Sequence, residues 1–300
     1  MPTALLTILL AAAVLTGPDA GGVEHRETDA VSSETTGSQP ATYTTPAQLL
    51  SALAKKDTET TTLSGDVRYT IIRALENDRQ MRTGQLAIRN GDNTDSTHSR
   101  KYAVRFHTLE MDQRRQEIDE QYIFDGRWFV ERLPNEKQFN KRELVPEGQT
   151  LDPMELMRDA PFWVSLGRDQ DRLLASYNAE LRATDDGLID NPDFPELRWF
   201  TELPHVTGTT QLMLTPKPGS GFEDDWEWVR IWTNPETLLP TLYIKADWTG
   251  DLQIVELFKA RTNEDIPASV FDTTTPDARS GWRVQISNWR SDSPTDAANP

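Results

Sequence analysis

Three acidic side chains, Glu117, Asp119 and Glu120, crowd one short segment in which apolar and polar residues alternate. Paired carboxylates are the working groups of glycoside hydrolysis, one as acid and the other as base or nucleophile, so the cluster admits a hydrolase. The chain carries 48 acidic against 31 basic residues, however, with a formal net charge of −17. In such a composition acidic neighbours arise by number alone, and a solvated strand face is the plainer reading. The four histidines, His25, His98, His107 and His205, show no metal-ligand spacing. Cysteine is absent, which removes thiolate nucleophiles, disulfides and Cys-ligated zinc. Neither a Gly-rich phosphate loop nor a Gly-x-Ser-x-Gly elbow occurs. No metal, no cofactor and no catalysis are expected; the residues point to binding.

The residue types that favour binding are apolar. Met154, Met157, Phe162 and Trp163 stand close together after a helix-start signal, and unbranched Met beside aromatic rings makes an adaptable cover. Each alone suits an ordinary core. Together with Tyr69, Tyr102, Phe106, Tyr122, Phe124, Trp128, Leu242 and Ile244 on alternating segments, they outline an apolar cleft and its lid. A bound acyl chain would gain about 0.8 kcal/mol per buried methylene in such a cleft, with no polar contact needed.

Those positions must be held by strands. Leu63, Val67, Tyr69 and Ile71 alternate with polar neighbours, as do Tyr102, Val104 and Phe106, and then Ile118, Tyr122 and Phe124 around Glu120. Leu86 and Ile88 mark a short strand between the first two. Alternation of this kind belongs to antiparallel sheets with one face on a core. Asp125-Gly126 is the pair a tight primed hairpin turn favours, and residues 127–132 continue as a strand. Residues 137–144 read as an edge strand guarded by charge. Segments 211–215, 226–233, 239–247 and 252–261 read as four consecutive antiparallel strands, with Trp248-Thr249-Gly250-Asp251 as the last hairpin, and 282–286 as a closing strand. Thr45-Pro46-Ala47-Gln48 and Asp152-Pro153-Met154-Glu155 both carry an N-cap residue, Pro at N1 and an N3 partner, so helices begin there. A further short helix is expected over 172–177, and 185–193 reads as an acidic loop. About ten strands in one sheet cannot stay flat and bare. The predicted fold is therefore mainly β: an unclosed, curved antiparallel half-barrel with the two helices on its concave face as a lid.

Ala4 to Leu15 form an apolar run too short to span a bilayer and suited to a signal peptide over residues 1–20, which implies a periplasmic or secreted protein. Residues 21–43 are rich in Thr, Ser, Glu and Gly and read as a disordered linker. One domain follows over 44–289, then a polar tail over 290–300. The acidity offers nothing to a phosphate backbone, so nucleic acid is not expected as a partner.

The hairpin Phe124-Asp125-Gly126-Arg127-Trp128-Phe129-Val130-Glu131-Arg132-Leu133-Pro134, the strand Gln211-Leu212-Met213-Leu214-Thr215-Pro216, the turn Trp232-Thr233-Asn234-Pro235-Glu236-Thr237-Leu238-Leu239-Pro240 and the segment 263–271 follow one another in an order that resembles the periplasmic outer-membrane lipoprotein carriers, the LolA-like superfamily. The resemblance spans residues 45–271. It implies an open barrel with a helical lid, and a carrier or sensor that holds an acylated or apolar ligand, possible partners being a lipoprotein and membrane-associated donor or acceptor proteins. Two other readings stand beside it: a regulatory protein-interaction module of the same fold, and a hydrolase built on the acidic cluster.

Overall fold

The computed structural model describes residues 43–91, 100–112, 114–147, 170–189, 191–192, 194–203, 206–224 and 226–288. The expected signal, most of the linker, the helix beginning at Asp152, its residues Met154, Met157, Phe162 and Trp163, and the terminal tail lie outside them.

Thr45 caps the first helix, α1 (Pro46–Glu59), its hydroxyl accepting from the Gln48 N–H. Such a cap contributes about 1 kcal/mol. Gln48 reaches back to the Thr44 N–H, one residue earlier than a strict capping box requires. Leu49, Leu50 and Leu53 form the buried side of α1.

Among the described residues twelve strands follow, against about ten expected, β7 being the one for which no segment was read: β1 (Thr62–Arg73), β2 (Asp78–Arg89), β3 (Lys101–Met111), β4 (Arg114–Phe124), β5 (Trp128–Leu133), β6 (Gln138–Glu143), β7 (Tyr177–Arg182), β8 (Thr210–Pro216), β9 (Trp228–Thr233), β10 (Pro240–Ala246), β11 (Leu252–Thr262) and β12 (Arg283–Ser287). They form one open, curved sheet in the order β12-β6-β5-β4-β3-β2-β1-β11-β10-β9-β8-β7. Every pairing is antiparallel except β12 on β6. β6 is therefore not the edge its charges suggested; β12 covers it, and β12 and β7 are the edges. The short helix α2 (Gln170–Ser176) ends one residue before expected, and Tyr177 opens β7 instead.

The turn between β4 and β5 lies one residue further along the chain than expected. The Asp125 N–H donates to the Trp128 carbonyl, so Gly126 and Arg127 are the central residues, with Gly126 at φ 104°. Asp125 holds the turn from outside, its carboxylate accepting from the N–H groups of Arg127 and Trp128.

The sheet separates two sides. On the inner, concave side α1 and α2 cover the largest cluster, which includes Leu63, Val67, Tyr102, Phe106, Val229, Tyr243 and Leu257. The outer side is covered twice. A loop and 3₁₀ segment (Pro195–Glu202) bring Leu188, Phe194, Leu197, Phe200 and Val206 onto Trp228, Trp232, Leu242, Ile244 and Ile254. Further along, Ile266 and Phe271 close over Ala103, Ile123, Val130 and Phe139.

Candidate functional site

Alternation sends Tyr69 of β1, Tyr102 and Phe106 of β3, Tyr122 and Phe124 of β4, and Phe129 of β5 to the inner side. There the six rings form an unbroken ladder across the sheet. Tyr69 stacks on Phe106 with centroids 6.2 Å apart, Phe106 meets Tyr122 edge-on at 6.0 Å, and Tyr122 stacks on Phe129 at 6.4 Å. Phe129 lies 6.5 Å from Tyr102, which lies 5.4 Å from Phe124. Ring pairs in this range are each worth about 0.5–1.5 kcal/mol beyond the area they bury. Tyr102, Phe106 and Phe124 are buried, whereas Tyr69, Tyr122 and Phe129 are half-buried and supply the accessible rungs.

Gly84 lets the ladder close. It sits opposite Phe106 beside a shift in register between β2 and β3. A Cβ at this position would overlap the carbonyl oxygen of Arg105, so only glycine permits the approach.

One charged pair stands among the rings. Arg82 is placed inward opposite Tyr69, and Glu120 inward opposite Phe106. Arg82 Nε donates to Glu120 Oε2 at 3.0 Å, and another nitrogen of the same guanidinium reaches Gln80 at 3.4 Å. The Tyr122 hydroxyl lies 3.4 Å from the same Glu120 oxygen. Burial pushes the Tyr69 phenol up to about 12, partly offset by the charge of Arg82. Tyr122 is pushed up further, by burial first and then by the carboxylates of Glu120 and Glu131. All rungs are thus uncharged at neutral pH, and the surface is apolar with one internally neutralised pair.

Beyond Phe129 the inner side turns polar. Glu131 accepts from Asn140 at 2.7 Å, and the Arg142 guanidinium lies 5.8 Å from the Phe129 ring centroid.

No protein-family profile matches the chain, and no curated protein matches it. Among solved structures, the chain is similar to proteins of the LolA superfamily. One, a LolA superfamily protein from Nitrosomonas europaea, shares 11% identity at a TM-score of 0.30, with 74% of this chain and 96% of that one covered. An uncharacterized conserved protein from Thermus thermophilus shares 10% identity at a TM-score of 0.40, covering 81% of this chain and 99% of that one. The MucA/MucB complex of Pseudomonas aeruginosa includes a chain with 13% identity and a TM-score of 0.39, covering 75% of this chain and 60% of that one.

Of the residues singled out in the sequence, Tyr69, Tyr102, Phe106, Tyr122 and Phe124 come together in the ladder. Three others face away from it. Trp128 shares the outer side with Val130, between Arg127 at 5.6 Å and Lys141 at 4.9 Å from its ring. Its neighbour Phe129 points inward in its place, because it stands directly opposite the inward Phe124 and cross-strand partners share a face. Leu242 and Ile244 belong to the outer cluster under the 3₁₀ segment, and Tyr243 is the inward residue of β10. The acidic trio also divides. Glu117 is exposed, Asp119 pairs outward with Arg105 at 2.9 Å, and Glu120 alone turns inward. These three carboxylates do not converge on a common substrate position. Among the described residues, no group of three or more His, Cys, Asp or Glu side chains could hold a metal ion.

Arg82 and Phe129 are the site residues that pattern reading missed. For Arg82 a signal existed: Glu120 occupies an inward position of an apolar alternation, and a buried carboxylate requires a cation.

Proposed function

We propose that this chain is a periplasmic carrier or sensor that holds an apolar or acylated ligand against the inner face of its curved sheet. The six-ring ladder carries the reading. A run of half-buried aromatic side chains, neutral at physiological pH and backed by a packed sheet, suits an alkyl chain lying across the strands. Export is supported by the apolar run from Ala4 to Leu15 and by the lack of cysteine. The split of the acidic trio between faces supports a binding role.

Mass spectrometry of organic extracts from gently purified protein, with titration of a fluorescent fatty-acyl probe, tests this. A co-purifying amphiphile and saturable probe binding are the expected results. A protein that carries no amphiphile and binds no probe would overturn the reading.

A protein-interaction module is the second reading, and one observation favours it. Leu75 and Trp248 are 86% and 60% exposed on the tips of adjacent hairpins, which are joined by the Ala74 N–H donating to Asp251 at 3.0 Å. A stoichiometric protein complex that survives Phe129→Ala but is lost on Leu75→Ser with Trp248→Ser would move the function to this tip.

A further inference from the structure

We infer that the ladder takes amphiphiles bearing a single negative charge, fatty carboxylates above all, and that Arg142 anchors their headgroup. This inference rests on the ligand-binding reading above.

The cross-strand row Phe124–Phe129–Arg142–Ser287 runs from the ladder to the sheet edge. Arg142 is exposed, and its guanidinium stands over the last accessible ring. In so acidic a chain, several arginines elsewhere on the sheet are claimed by carboxylates. Arg68 is held by Glu256, Arg82 by Glu120, Arg105 by Asp119, and Arg127 by Glu143 and Glu147. Among the described residues no carboxylate forms an ion pair with Arg142. Its sequence neighbour Glu143 points to the opposite side and bonds Arg127. The acid one row away, Glu131, already accepts from Asn140, and Glu136 lies in the turn between β5 and β6, where the charge of Arg283 partly offsets it. A free guanidinium at the polar end of an aromatic track is the complement of an alkyl chain ending in a carboxylate, whose two oxygens match the planar fork. One cation on this row fits one negative charge; a dianionic phosphate monoester would call for a second.

The test compares three probes on the full protein: a long-chain fatty acid, the matching fatty alcohol and the matching monoalkyl phosphate. Wild type should bind the acid more tightly than the alcohol. Arg142→Gln should weaken the acid about tenfold, the scale of one charge-assisted hydrogen-bonded pair, and leave the alcohol unchanged. Arg142→Lys should restore part of the loss. Equal wild-type affinity for acid and alcohol, or equal loss of both in Arg142→Gln, overturns the inference. A phosphate bound more tightly than the acid overturns its assignment to a monoanion. If the alcohol binds and the acid does not, the anchor fails while the ladder stands. If none of the three binds, the ligand-binding reading itself fails.

Discussion

Arg82 and Glu120 meet at 3.0 Å with both side chains buried, across two strands that are not neighbours in the sheet. Their attraction must offset the desolvation of both, and removing one partner strands the other. Arg82→Met is expected to cost about 3–5 kcal/mol, and Arg82→Met with Glu120→Leu to recover most of that. Urea midpoints for the two singles and the double, read as a double-mutant cycle, check it. Additive losses would mean that the two side chains act independently.

The buried phenols make stability fall in alkali. Tyr69 ionises at about 12 when folded against an ordinary 10, and burial raises Tyr122 and Tyr243 as well. Between about 10 and 12 the unfolded chain has released these protons and the folded chain retains them, so stability decreases as pH rises. It is fully present below about 10. Thermal midpoints across this range should decline, and Tyr69→Phe should make the decline shallower. A wild-type midpoint that stays flat to about 12 would contradict the burial of these hydroxyls.

Neighbouring aromatic residues on β5 should behave oppositely. Phe129→Ala removes a rung and should weaken an alkyl probe about tenfold, since a ring buries more area than any aliphatic side chain. Trp128→Ala acts on the outer side and should leave probe affinity unchanged. Titration of both variants, with melting curves to confirm the fold, separates the faces.

Gly84→Ala places a methyl group where the Arg105 carbonyl already lies. Strand β2 must move away from β3, at a cost of about 1–3 kcal/mol. Hydrogen exchange should show the loss concentrated in β2 and β3, with β8 to β10 still protected.

Much of this architecture is readable from alternation. Tyr102, Val104 and Phe106 reveal β3 because polar residues separate them, and Trp248 to Asp251 reveal a hairpin because Gly250 adopts the positive φ of 83° that its turn needs. Reading fails where an inward position is charged. The first half of β2, Asp78 to Thr83, has no apolar alternation, since its inward residue is Arg82, whose partner lies on β4. It fails again where partners are remote in sequence. Tyr177 to Arg182 is a strand because β8 pairs with it. Trp128 reads as inward from its sequence and stands outward in the fold, because its neighbour Phe129 opposes the inward Phe124 and successive strand residues face opposite sides.

The pairing of β1 with β11, from Leu63 opposite Thr262 to Ile72 opposite Leu252, joins an early strand to a late one at the middle of the sheet. On either side of that seam the strands are simple meanders, β1 to β6 and β7 to β11, each linked in chain order. Each can assemble from local contacts, but the seam must wait for the chain to bring its distant strands together, which makes it the slow step of folding. Until it closes, β1 and β11 are open edges of matched register, and the corresponding strand of a second molecule fits either one equally well. Crowded refolding should therefore divert the protein into dimers that have exchanged whole halves, while dilution restores the monomer.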